Sequence, residues 1–305
     1  MLSILRNLSS IIKDNHPEIV CHFPYGTFRR YYGLANKSYM ASVDRICSRN
    51  GVPCLTIMYS IDASVSPGQL DRLVSHLVLG ERDNWHGDVI DPGLRFDHWP
   101  ALNLKSTGPP TVLFMAGMHQ QNKNRVDHVL KVRGLDLLLK TGAILAKDGV
   151  RLIIASPLFE NLTFRKYVLN SKSNSWPENA VKFESVVTVP EIFSHVDLFV
   201  FPYSKQIQHF IPTSVRESMS ASVPVVIPDF ALFKALIKDG ETGFVFKSGN
   251  HRSLAEKIQQ ALTDRQRLRQ IGEASRQYAR TRWSIERSAQ QLRILAQRVI
   301  RATEL

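Results

Sequence analysis

Apolar and polar positions along this chain follow two rhythms that take turns. Leu2, Ile4, Leu5, Leu8, Ile11 and Ile12 recur at helical spacing, and the helix they predict ends near Asn15, ahead of Pro17. Glu18–Phe23 then reads as a buried strand, and a helix is expected from about Ala35 to Arg49, stopped by Gly51. Val52–Tyr59 and Val74–Leu79 read as further strands. Beyond residue 110 the alternation resumes, with strands at Thr111–Ala116, Val150–Ala155, Val181–Phe183, Asp197–Phe201, Val223–Ile227 and Gly243–Phe246. Between them the pattern predicts helices at Gly134–Lys147, Phe159–Lys172, Pro190–His195, Ser214–Ala221 and Ala231–Lys238. Three more, Ser253–Leu262, Asp264–Arg280 and Ser284–Ala302, close the chain.

Short apolar strands that alternate with helices predict parallel sheets covered on both faces. The pattern occurs twice. Residues 101–110, with two prolines and a glycine among polar residues, break both periodicities and read as the linker. The expected fold class is therefore α/β, with two Rossmann-like parallel-sheet domains. Their expected limits are 1–105 and 106–282, with a last helix over 283–305 that is free to cross back to the first. Ligands in such sheets sit at the carboxyl ends of the strands, which points to the gap between two facing sheets as the working site.

Composition narrows the setting. Of 305 residues, 44% are hydrophobic and 22% charged, as in a soluble globular protein with two cores. No apolar run approaches a membrane span, and the apolar residues near Met1 are interrupted by Arg6, Asn7 and Lys13, so no secretory signal is read. Cys21, Cys47 and Cys54 are odd in number and lack C-x-x-C spacing. They read as packing residues in a reducing compartment, the cytoplasm, and no zinc cage is expected. The formal charge of +12 favours anionic partners. Ten arginines lie between Arg265 and Arg301, against four acids from Asp264 to Glu304. Such a helical tail suits an anionic membrane surface at least as well as DNA, so a peripheral place on the inner face of the membrane enters the expectation. No zinc-finger spacing or aromatic RNA-binding pattern is present, and no nucleic-acid partner is expected.

The chemistry is concentrated between His209 and Asp229. A helix that starts near Thr213 or Ser214 offers free backbone N–H groups, the positive end of its dipole and two hydroxyls, which together suit a diphosphate. Glu217 lies about one turn further on. It can accept hydrogen bonds from a ribose diol beside that phosphate, or it can close a capping box with Ser214 and do nothing else. The pattern alone leaves both readings open.

The stretch Phe210-Ile-Pro-Thr-Ser, with Glu217, Met219 and Pro224-Val225-Val226, resembles the signature of family 4 glycosyltransferases of the GT-B fold. Asp239-Gly-Glu-Thr-Gly-Phe-Val-Phe246, Leu254-Ala-Glu-Lys-Ile258 and Arg282-Trp-Ser-Ile-Glu-Arg287 are similar to its later motifs. Arg133-Gly-Leu-Asp-Leu-Leu-Leu139, Asn179–Phe183 and Val196–Pro202 are similar to earlier ones. The resemblance runs in register over about 111–302 and is fainter in the first third, where it implies a shortened acceptor-side domain. It implies donor binding by Gly117, Arg133, Pro212, Thr213, Ser214 and Glu217, with Arg133, Glu217 and His209 at the reacting end. Arg133 stands where the family has a phosphate-neutralising Lys. His209 stands where it has a sugar-contacting Glu, and Tyr59 and Ser60 stand where it usually has a catalytic His. Met118 takes the place of an Arg beside Gly117, and Lys123 or Arg125 could supply that charge. The general base is not identified, although Asp62, His22 and Tyr59 are candidates.

The implied activity is transfer of a sugar from a nucleoside diphosphate to a hydroxyl on a glycan or lipid-linked acceptor, in polysaccharide or glycolipid synthesis. The nucleotide sugar is substrate, and no cofactor is expected. The chain has no D-x-D, so a metal-dependent design has no support in it. The alternative is a non-catalytic transferase-like protein that binds nucleotide or a partner, or a piece of a longer enzyme.

Overall fold

The computed structural model describes residues 2–22, 33–58, 76–79, 88–90, 93–99, 108–117, 126–160, 162–185, 188–205 and 211–303. The chain forms two compact units, Met1–Gly93 with Trp283–Leu305, and Leu94–Arg282. The second unit thus begins ahead of the proline-bearing segment, of which only 108–110 are described.

The first unit holds helices α1 (Leu2–Asn15) and α2 (Gly33–Arg49) and strands β1 (Val20–His22), β2 (Cys54–Met58), β3 (His76–Leu79) and β4 (Asp88–Val89). The strands form one parallel sheet in the order β1-β2-β3-β4. On one side Ile12, Val43, Cys47 and Cys54 make a buried cluster. Cys21, by contrast, is exposed, so it does not share the packing role expected for all three cysteines. A second cluster joins Leu55 of β2 to Leu295 and Val299 of the final helix, Ile285–Thr303.

The second unit is a six-stranded parallel sheet made of β5 (Thr111–Met115), β6 (Arg151–Ala155), β7 (Val181–Glu184), β8 (Leu198–Val200), β9 (Val225–Pro228) and β10 (Phe244–Phe246). Its order is β10-β9-β8-β5-β6-β7. The central strands are buried on both faces, which is why they read as unbroken apolar runs. On one face Val112, Phe114, Leu152 and Ile154 pack with Leu135, Leu138, Leu254 and Ile258.

Three expected helices differ in detail, and one of them, Ala231–Lys238, is helical only over Ala231–Lys234. Gly134–Lys147 is broken into α3 (Leu135–Leu139) and α4 (Gly142–Leu145). Thr141 turns its hydroxyl onto the Leu138 carbonyl at 2.6 Å, and Gly142 lies so close to the Ser175–Trp176 backbone that a Cβ there has no room. Phe159–Lys172 opens as a tight turn at Pro157–Glu160 and becomes helical only over Leu162–Leu169.

Candidate functional site

The chain leaves β5 toward β6 on one side of the sheet, and leaves β8 toward β9 on the other. The order therefore reverses between β5 and β8. A switch point of this kind leaves a crevice outside the carboxyl ends of the two strands. β5 runs out into Ala116 and the exposed Gly117, around which there is open space. β8 runs out into Phe201, Pro202, Tyr203 and Ser204.

Arg133 is carried to this edge by a π-helical turn, His128–Val132, and its N–H donates to the His128 carbonyl at 2.9 Å. The turn is fastened to the end of β8. Ser204 donates its N–H to the Val132 carbonyl at 3.1 Å and its hydroxyl to the Lys131 carbonyl at 2.5 Å. Gly134 follows at φ +76°, pressed against the Pro202 carbonyl where no side chain fits. The Arg133 guanidinium lies over the Tyr203 ring, 5.9 Å from its centroid. Tyr203 is buried and stacks on Phe201 at 3.9 Å with the rings 10° from parallel. The Nε of Arg133 is buried without an acceptor, and no carboxylate pairs with Arg133 among the described residues. A half-buried cation in that state favours an anion beside it, and a phosphate matches its fork of donors.

The helix Thr213–Ser220 is the crossover from β8 to β9, so its amino end lies at the same carboxyl edge of the sheet. Pro212 is its N-cap, buried like Ile211 before it, and the Pro212 carbonyl accepts from the N–H groups of Val215 and Arg216 at 3.0 and 3.2 Å. Thr213 is exposed and Ser214 half-buried, and as first residues of the helix their amides have no acceptor within it. The N-cap residue, Pro212, makes no side-chain capping hydrogen bond. The capping-box reading of Ser214 and Glu217 thus fails, because the N-cap is Pro212, two residues ahead of Ser214.

Glu217 comes one turn along. Burial pushes its carboxyl above the ordinary carboxylate range, and the charge of Arg216 offsets part of that rise. Among the described residues the Glu217 carboxyl has no hydrogen-bond or ion-pair partner, while its backbone carbonyl accepts from the Ala221 N–H at 2.9 Å. The far end of the helix is held firmly. Ser218 donates to the Val223 carbonyl at 2.7 Å. Arg276 donates to the carbonyls of Ser220 and, at 2.9 Å, Trp99.

The structure thus places Gly117, Arg133, Pro212, Thr213, Ser214 and Glu217 on the carboxyl side of one sheet. His209, Tyr59, Ser60, Asp62, Met118, Lys123 and Arg125 lie outside the described residues, as does the side chain of His22. The pattern along the chain did not single out Phe201 and Tyr203 as the shelf under Arg133. The only available signal was an aromatic just beyond the Phe-Pro that ends β8. A separate groove of about 890 Å³ lies over β6 and β7, lined by Arg151, Lys182, Glu184, Glu191 and His195. None of the candidate residues lines it, and its Lys182 is already paired with Glu184.

Comparison with known proteins points the same way. Residues 103–278 match the family model described as glycosyl transferases group 1. The chain is 25% identical over 162 residues to the capsular polysaccharide biosynthesis glycosyltransferase CapM of Staphylococcus aureus, a match that takes in 52% of this chain and 41% of that one. The match therefore spans about two fifths of the curated relative's length. Among solved structures the chain resembles a glycosyltransferase from Rickettsia africae (TM-score 0.71, 16% identity, 98% of this chain and 81% of that one). It also resembles HepE of Anabaena, solved with UDP and glucose (TM-score 0.67, 15% identity, 96% and 81%). At these identities the likeness establishes the fold, and the fold is that of GT-B transferases.

Proposed function

The chain belongs to the group 1 glycosyltransferase family, and we propose that it transfers a sugar from a nucleoside diphosphate to a hydroxyl acceptor in polysaccharide or glycolipid synthesis. The observation that carries this reading is Arg133, a half-buried guanidinium held on an aromatic shelf at the switch point with no carboxylate beside it among the described residues. As the glycosidic bond breaks, negative charge builds on the departing diphosphate. Arg133 and the amino end of Thr213–Ser220 meet that charge from fixed positions, which is where electrostatic catalysis is most effective.

Glu217 accepts from the ribose hydroxyls, one helical turn beyond the phosphates. His209 is proposed to face the donor sugar on the motif alone. Gly117 leaves room for the donor to approach the end of β5. The sugar nucleotide is substrate, and the reading calls on no cofactor. The similarity to CapM supports a polysaccharide or a lipid-linked precursor as acceptor. No helix among the described residues is long and apolar enough to cross a membrane. The place of work we propose is the cytoplasm.

The test is release of nucleoside diphosphate from a panel of sugar nucleotides, uridine donors first, with and without oligosaccharide or lipid-linked acceptors. Acceptor-dependent release is expected, with Arg133→Ala slower by about 10²-fold. Equal turnover by Arg133→Ala contradicts the proposed role, and absence of turnover with every donor contradicts the activity.

A further inference from the structure

We propose that the exposed face of the helix Ile285–Thr303 is a docking surface for an anionic lipid bilayer. The opposite face of this helix is already committed. Leu295 and Val299 are buried against Leu55, with Leu292, Ile19 and Ile90 packed around them. The helix cannot turn that stripe to lipid without leaving its own sheet. What it presents outward is Arg287, Arg293, Arg298 and Arg301, all exposed, with Glu286 as the acid on the same side. Arg287, Arg293 and Arg301 have no carboxylate partner among the described residues. In the midst of these cations stands Ile294, 57% exposed, a branched apolar side chain in open solvent.

Arginines around an outward apolar residue suit an anionic bilayer surface, where the guanidinium groups meet lipid phosphates and the isoleucine enters the headgroup layer. Nucleic acid would use the same cations, but this helix has no aromatic residue to stack on a base. Because the apolar stripe faces the core, attachment rests chiefly on charge, and salt should weaken it. The inference does not depend on the transferase reading.

The experiment is sedimentation of the full chain with mixed phosphatidylglycerol–phosphatidylcholine vesicles, with phosphatidylcholine vesicles alone, and with random-sequence duplex DNA. The expected result is binding to the anionic vesicles, reversed by salt, with little binding to the neutral ones. Arg293→Gln with Arg301→Gln should weaken it by roughly twenty-five-fold, taking about five-fold for each arginine near an anionic surface. Ile294→Ser should weaken it further, and both variants should keep the parent's melting point, since all three side chains are exposed. No binding by the parent, equal binding to neutral vesicles, an unaffected double variant, or tighter binding to DNA than to anionic vesicles overturns the proposal.

Discussion

The guanidinium of Arg133 lies 5.9 Å over the ring of Tyr203, and Tyr203 in turn lies flat on Phe201. The cation at the switch point is therefore seated on an aromatic stack at the end of β8. Cation–π attraction of this kind is worth about 0.5–2 kcal/mol, the larger value when the pair is shielded from water. Tyr203→Leu is expected to raise KM for the donor by about 2- to 30-fold through a less ordered Arg133, while Tyr203→Phe stays near the parent. Steady-state kinetics on the two variants decides it. Equal loss in both would assign the effect to the hydroxyl.

Gly134→Ala tests the fastening of the same turn. Its φ of +76° and the Pro202 carbonyl leave no place for a methyl group. The left-handed backbone alone costs about 1–2 kcal/mol, and the clash adds to it. Chemical denaturation should show a loss above that range, together with loss of donor binding. A near-neutral Gly134→Ala would mean that the turn moves freely.

Glu217 makes stability depend on pH in a definite sense. Its folded carboxyl titrates above its unfolded value because burial disfavours the charge. The folded state then holds the proton more tightly, so stability is greatest below the unfolded value and declines as pH rises through the folded one. Glu217→Gln removes that decline. The variant should melt no lower than the parent at neutral pH, and the gap between them should widen in the variant's favour from acid to neutral pH. A variant that melts well below the parent at neutral pH would show that the carboxylate stabilises the fold.

Arg276 ties the end of the helix Thr213–Ser220 to the turn at Phe96–Trp99 through the carbonyls of Ser220 and Trp99, and it stacks on Phe96. Hydrogen bonds from a charged donor contribute about 1.5–3 kcal/mol each, less where water reaches them. Arg276→Ala should therefore destabilise the second unit by about 2–4 kcal/mol. Arg276→Lys, which cannot span both carbonyls with one fork, should recover only part of this. Thermal unfolding of the two variants measures the difference.

Much of this was readable along the chain, for a physical reason. β5, β6, β8 and β9 are buried on both faces, so each appears as a run such as Leu198-Phe199-Val200, and their spacing implies a parallel sheet. The order of strands within the sheet is not written in any one segment. It emerges from packing, and with it the switch point that gathers Gly117 and Arg133. β4 escaped notice because two residues, Asp88 and Val89, cannot show a periodicity. The break at Thr141–Gly142 was hidden because the apolar spacing continues through it while Trp176, distant in sequence, imposes the turn. Tyr203 and Arg133 meet across seventy residues, a contact no local pattern carries. The roles of Thr213, Ser214 and Glu217 came from the motif, and the structure adds that Pro212, not Ser214, caps the helix.

The account rests on a nucleoside diphosphate docking between Arg133 and the start of Thr213–Ser220, and thermal shift tests it most directly. Nucleoside diphosphates at millimolar concentration should raise the parent's melting point in proportion to occupancy. Arg133→Ala and Glu217→Ala should lose the rise while melting, unliganded, close to the parent. No rise with any nucleoside diphosphate, or an undiminished rise in both variants, would contradict it.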